Sequence, residues 1–81
     1  MADSQAIVDQ VRALLVGRFG IDEAEVAPNK AFVADLGIDS LEIVELIGAM
    51  EEEFGMQIPD KDIDSLRTVA DTVNYIQSNR P

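Results

Sequence analysis

The tetrapeptide Ile-Asp-Ser-Leu occurs twice, at residues 38–41 and again at 63–66. Each copy offers a carboxylate, a hydroxyl and an apolar anchor. A serine hydroxyl becomes a catalytic nucleophile only when a neighbouring base takes its proton. The chain contains no His and no Cys, so only carboxylates could do acid–base work. Nothing pairs them in an apolar pocket where that work would be possible. The expectation is a protein that is not itself an enzyme, with Ser40 and Ser65 as the two hydroxyls to tell apart.

Their contexts differ. Ser40 follows Asp35-Leu36-Gly37, so a glycine-flexed loop delivers it to the start of a long acidic helix. A phosphate attached there would lie near the positive end of the helix dipole and the unpaired amides of the first turn. Ser65 follows Pro59-Asp60-Lys61-Asp62 and precedes Leu66 and Val69 of a core face, which suits a local cap or turn. Ser and Asp are also common at ordinary helix starts. Spacing alone leaves Ser40 balanced between the two roles.

Helices must position these groups. Ile7, Val11, Leu14 and Leu15 repeat at helical spacing behind a possible cap at Asp3 or Ser4, and Gly20 ends that run. Residues 20–38 read as a long connection, with Ile21, Val26, Phe32 and Leu36 as anchors and a short helical turn around 31–36. A second helix starts at the first tetrapeptide, where Asp39 and Glu42 have the spacing of a capping box. Leu41, Leu46, Met50 and Phe54 are its expected packing positions, and Gly55 its stop. A short segment follows Ile58-Pro59-Asp60, and Thr68 with Asp71 can cap a last helix carrying Val69, Val73 and Ile76. With no strand-like alternation, the expectation is an all-α protein. Its form is a small antiparallel four-helix bundle with a short third helix and a long loop between helices one and two.

Composition bounds the partners. The chain of 81 residues is one domain, 1–81, with 47% hydrophobic and 27% charged residues, ordinary for a folded protein. Net charge is −10, and no basic residue lies between Lys30 and Lys61, where Asp35, Asp39, Glu42, Glu45, Glu51, Glu52, Glu53 and Asp60 all fall. That field opposes nucleic acid and anionic membranes and favours basic partners. The start, MADSQAIVDQ, is polar, and no stretch has the length of a membrane span. A soluble cytoplasmic monomer that does not insert into membranes is expected.

The stretch DLGIDSLEIVELIGAMEEEFGMQIPD, residues 35–60, resembles the acyl carrier protein family, whose mark is Gly-x-Asp-Ser-Leu opening the second helix. The likeness runs without gaps from about Ile7 to Ile76 and includes EEEF at 51–54, IPD at 58–60 and NYI at 74–76. It implies phosphopantetheine carried covalently on Ser40, added by a phosphopantetheinyl transferase that also reads Asp39 and Leu41. It implies too that Glu42, Glu45, Glu51 and Glu52, with Val44 as an apolar contact between them, meet basic patches on acyl-transfer, condensing and modifying enzymes. The missing Cys then makes sense, because the reactive thiol belongs to the arm. Gly48 stands where carriers of fatty-acid synthesis usually have a bulky apolar residue, and Ile38 where they have a small one. Those departures leave a fatty acid, polyketide-type or aminoacyl/peptidyl pathway open.

Two other readings compete. Asp60, Asp62 and Asp64 have the spacing that opens a calcium loop, but Ser65 stands where that loop needs glycine and Asp71 where it needs glutamate. No dedicated metal site is expected. The alternative to a carrier is an unmodified acidic interaction module. The charge carries its own prediction: folding compacts ten uncompensated negative charges, and salt shortens the range of their repulsion. Raising sodium chloride from about 10 mM to about 0.5 M should increase Tm by on the order of 5 °C, or about 1 kcal/mol. An unchanged Tm in scanning calorimetry would remove the claim.

Overall fold

The computed structural model describes residues 3–79. In chain order it contains α1 (Asp3–Phe19), a 3-10 turn (Glu23–Glu25), α2 (Ser40–Phe54), α3 (Asp60–Ile63) and α4 (Val69–Asn79). Among the described residues there is no strand, only an isolated bridge between Ala31 and Thr68. The molecule is thus an all-α helical bundle with a long loop between the first two long helices. The expected cap of α1, Asp3 or Ser4, lies outside the residues whose side chains are described.

The core follows the apolar spacing. α1 buries Ile7, Val11 and Leu15, α2 buries Leu46, Ile47 and Met50, and α4 buries Val69, Val73 and Ile76. Both α2 and α4 pack on α1. The loop supplies a fourth wall through Val26, Phe32, Leu36 and Ile38. Thr72 is the one fully buried polar residue among those described, and its hydroxyl finds no partner.

One expected packing position is overturned. Leu41 is 80% exposed. The inward face of α2 runs through Ile43, Leu46, Ile47, Met50 and Phe54. On a helix of 3.6 residues per turn, that phase turns 41, 44, 45 and 48 outward. Leu46 and Met50 are buried as expected, and Phe54 is half-buried.

The long loop is held by backbone pairing as well as by its anchors. A helix start leaves its first amides without partners. In α4 the Val69 N–H donates to the Lys30 carbonyl (3.0 Å) and the Ala70 N–H to the Pro28 carbonyl (2.9 Å). Thr68 and Asp71 complete the cap: the Asp71 N–H donates to Thr68 Oγ1 (3.0 Å) and the Thr68 N–H to Asp71 Oδ2 (3.2 Å). The Phe32 N–H donates to the Arg67 carbonyl at 3.0 Å. The turn expected around 31–36 is present, with the Asp35 and Leu36 N–H groups both donating to the Ala31 carbonyl. The 3-10 turn, capped when Asp22 Oδ1 accepts from the Ala24 N–H, was not legible, because three residues are too few to show a period.

α3 is four residues long and has no side-chain cap at its start. It is tethered instead. The Tyr75 hydroxyl on α4 donates to Asp62 Oδ2 on α3 at 2.7 Å. That bond, then partial burial, then the Asp62 charge, push the Tyr75 pKa above its usual 10.0. A folded value above the unfolded one means the stabilisation is complete below about pH 10 and is lost as pH rises through the folded value. Tyr75→Phe keeps the ring and removes the bond, so it should lower stability by about 1 kcal/mol at neutral pH. It should also speed exchange of the Ser65 and Leu66 amides and flatten the loss of stability above about pH 10. Equal exchange rates and equal alkaline profiles for the two proteins would show that the bond does not hold α3.

Candidate functional site

Each residue from Asp35 to Ser40 has a separate task. Asp35 closes the preceding turn, its Oδ2 accepting from the Ala31 N–H at 2.8 Å. Leu36 and Ile38 are both buried and act as anchors on either side of Gly37. The Ile38 N–H donates to the Phe32 carbonyl at 3.0 Å. Gly37 reverses the chain with φ 71°, a left-handed conformation that costs a residue with a Cβ roughly 1–2 kcal/mol. Both anchors can then reach the same core from opposite sides of a surface turn.

Asp39 caps α2. Its Oδ1 accepts from the Glu42 N–H at 2.8 Å, and Glu42 Oε1 accepts from the Asp39 N–H at 3.1 Å, so the expected capping box is complete. Ser40 is the first residue of the helix and is exposed. The amides of Ser40 and Leu41 have no protein acceptor among the described residues. A phosphate ester on the Ser40 hydroxyl would find those two donors and the positive end of a helix of 15 residues beside it. Ser65 is different: its Oγ donates to the Asp62 carbonyl at 2.7 Å. The two tetrapeptides therefore fold into a free hydroxyl and a turn-closing one.

The acidic residues of α2 do not form a uniform set. Glu45 is exposed, and Glu52 has only a loose 3.7 Å pair with Arg18 of α1. Glu42 is engaged in the cap. Glu51 is half-buried and directs the exit from the helix. Its carbonyl accepts from Gly55 and Met56, and its Oε2 accepts from the Ile58 N–H at 2.7 Å. The sequence signal for that role was the Gly55 stop four residues on, which places the chain reversal beside Glu51. Val44, which could have been core, is 68% exposed and lies with Leu41 on the outward face.

Two surface grooves flank the ridge formed by Ile43 and Ile63. One, of about 380 Å³, is lined by Phe32, Val33, Leu66 and Arg67 among others; the second, of about 300 Å³, runs along α2 past Gly48. A larger depression of about 430 Å³ on α1 shares no residue with α2. No described group of three or more Asp or Glu is arranged to hold a metal ion, and Asp62 of the calcium-like spacing is occupied by Tyr75. No described helix is long and apolar enough to cross a membrane.

The family model for a phosphopantetheine attachment site matches residues 9–76. The chain belongs to that family. The match takes in the Gly37 turn, the Asp39 cap and Ser40, and it is consistent with an acyl carrier protein. Phosphopantetheine is the covalent prosthetic group of such domains, which are generally non-catalytic carriers. The chemistry of the segment fits the group: an exposed hydroxyl, two free amides and a helix dipole on one short turn.

The architecture of this turn predicts its own fragility. Gly37→Ala meets no steric neighbour, so its cost is conformational, and it should lower stability by roughly 1–2 kcal/mol in urea unfolding. Asp39→Ala should lower it by about 1 kcal/mol through loss of the cap. Wild-type stability in either variant would mean that the turn is not what fixes the start of α2.

Proposed function

We propose that the protein carries acyl intermediates as thioesters on a phosphopantetheine arm attached to Ser40, in fatty acid or polyketide-type biosynthesis. The observation that carries this reading is the contrast between the serines: Ser40 is exposed beside two free amides, and Ser65 is consumed by the Asp62 carbonyl. The arm supplies the thiol that the chain itself lacks.

The chain's own residues present and steer. The capping box holds the first turn of α2 rigid, so the attachment point has a fixed position and direction. Asp39 and Leu41, on either side of Ser40, offer the phosphopantetheinyl transferase a carboxylate and an exposed apolar side chain. Glu45 and Glu52, with the charges of Glu42 and Glu51, form a one-signed surface that steers basic patches of acyl-transfer, condensing and modifying enzymes. Val44 adds apolar contact among them. Tethering then raises the effective concentration of cargo at each partner's active site without chemistry from the carrier. The protein acts as a cytoplasmic monomer that presents substrates and catalyses nothing.

Intact and peptide-level mass spectrometry tests the assignment, after incubation with coenzyme A and a broad-specificity phosphopantetheinyl transferase. Wild type and Ser65→Ala should each gain one phosphopantetheine, and Ser40→Ala none. No addition to wild type would favour the unmodified interaction module. Addition at Ser65 would invert the assignment.

A further inference from the structure

Arg67 is a cation without a carboxylate, in a protein that sets 16 acids against six bases. Among the described residues two ion pairs form, Arg12 with Asp9 and Arg18 with Glu52. Lys30, Lys61 and Arg67 have no carboxylate within 4.0 Å. The Arg67 Nε–H makes one long bond of 3.4 Å to the Asp64 carbonyl, and the terminal nitrogens of its guanidinium have no described acceptor. Of the three cations, only Arg67 lines the groove of about 380 Å³.

Apart from Arg67 and Asp64 that groove is apolar, with Phe32, Val33, Ile43, Ile63 and Leu66 among its walls. Phe32 and Leu66 belong to the buried core. The Phe32 N–H donates to the Arg67 carbonyl at 3.0 Å, which fixes the Arg67 backbone beside one wall. Ile43 stands three residues after Ser40, about 4.5 Å along the axis of α2, and such positions are neighbours on a helix surface. Ligand pockets run from roughly 300 to 1,000 Å³, so this one suits a short acyl group with the end of its arm.

We propose that Arg67 is a specificity-determining residue of this carrier, and that it selects an acyl cargo whose far end is a carboxylate. The methylenes of the cargo would lie on Phe32, Ile43 and Leu66. The carboxylate would take the parallel pair of N–H bonds that a guanidinium fork offers. Charge decides between cargoes: a methyl-ended chain leaves the guanidinium with water alone, and an amine-ended one is repelled by it. A free carboxylate is held off by the net charge of −10. Tethering to Ser40 supplies the local concentration that overcomes this. Asp64 lines the same groove and opposes any anion there, so selection rests on the two-pronged contact and not on the general field. The proposal rests on the carrier reading for the tether, and it adds the class of cargo and the residue that reads it.

The test loads the full chain by a phosphopantetheinyl transferase from succinyl-coenzyme A or butyryl-coenzyme A, acyl groups of one length with and without the terminal carboxylate. Carbon NMR follows the labelled terminal carboxyl of the succinyl form, which should titrate about 0.5 to 1 pH unit lower in wild type than in Arg67→Gln. Arg67→Lys should keep part of that difference, because the charge stays and the fork is lost. Lys61→Gln removes a charge outside the groove and should leave the titration unchanged. The Arg67 Nε–H resonance should move on succinylation and stay in place with butyryl. Arg67 is exposed, so an equal Tm for Arg67→Gln separates lost recognition from misfolding. The same carboxyl titration in wild type and Arg67→Gln would overturn the proposal, as would an equal effect of Lys61→Gln. An Arg67 response complete on attaching the bare arm would assign the guanidinium to the phosphate and overturn it too. Mass spectrometry reports loading separately. If Ser40 takes no arm, the carrier reading fails, and S-succinyl- and S-butyryl-N-acetylcysteamine titrated into the unmodified chain read the groove instead. The succinyl probe should then bind at least about threefold tighter, and Arg67→Gln should abolish that preference; equal binding would overturn the proposal.

Discussion

The shape of the molecule depends on the docking of the long loop against the first turn of α4. Backbone polar groups removed from water must find partners, and the start of α4 is a row of donors with none of its own. The loop answers with the carbonyls of Pro28 and Lys30, and the Phe32 N–H returns a bond to Arg67. Those bonds put Phe32 into the core, and Phe32 in turn receives Ile38 through its carbonyl. Ser40 is two residues further on. Ser40, although exposed, is thus referenced to the far helix through a chain of backbone bonds.

The same economy governs the acids. Several of them serve the fold and the surface field together: Asp35 closes a turn, Asp39 and Glu42 cap a helix, and Glu51 holds the chain as it leaves. A carboxylate that accepts a hydrogen bond keeps its charge, so these residues still contribute to the field that would guide basic partners. The repulsion among them is the corresponding cost. The bonds offset part of it, which lets a domain of this size carry a net charge of −10.

α3 is the least self-sufficient element. Too short to be stable alone, it is placed by Ile63 packing against the core and by the Tyr75–Asp62 bond. Ile63 with Ile43 forms the ridge between the two grooves. The position of a four-residue helix therefore shapes both grooves. Leu46, Met50, Ile58, Leu66 and Val69 are all buried.

The sequence by itself determined the long helices, the caps of α2 and α4, and the two serines to tell apart. Those signals are local: apolar residues at helical spacing, Asp39 three residues before Glu42, Thr68 three before Asp71, glycine after Phe19 and Phe54. A capping box is a contact between neighbours in the chain, so its partners can be read from their separation. Only the tertiary structure decided the phase of α2, because Leu41 could continue the apolar row as well as Ile43 until the core fixed which face turned inward. It also decided that Glu51 binds Ile58, that loop carbonyls complete α4, and that Tyr75 reaches Asp62. Those pairings join segments separated by several to dozens of residues, and such distances in the chain carry no period and no motif. The two identical tetrapeptides fall on the local side of that division: their own residues are the same, and their neighbours in the chain differ, Ser65 closing a turn on the carbonyl of Asp62 three residues before it and Ser40 following the Gly37 turn to open α2.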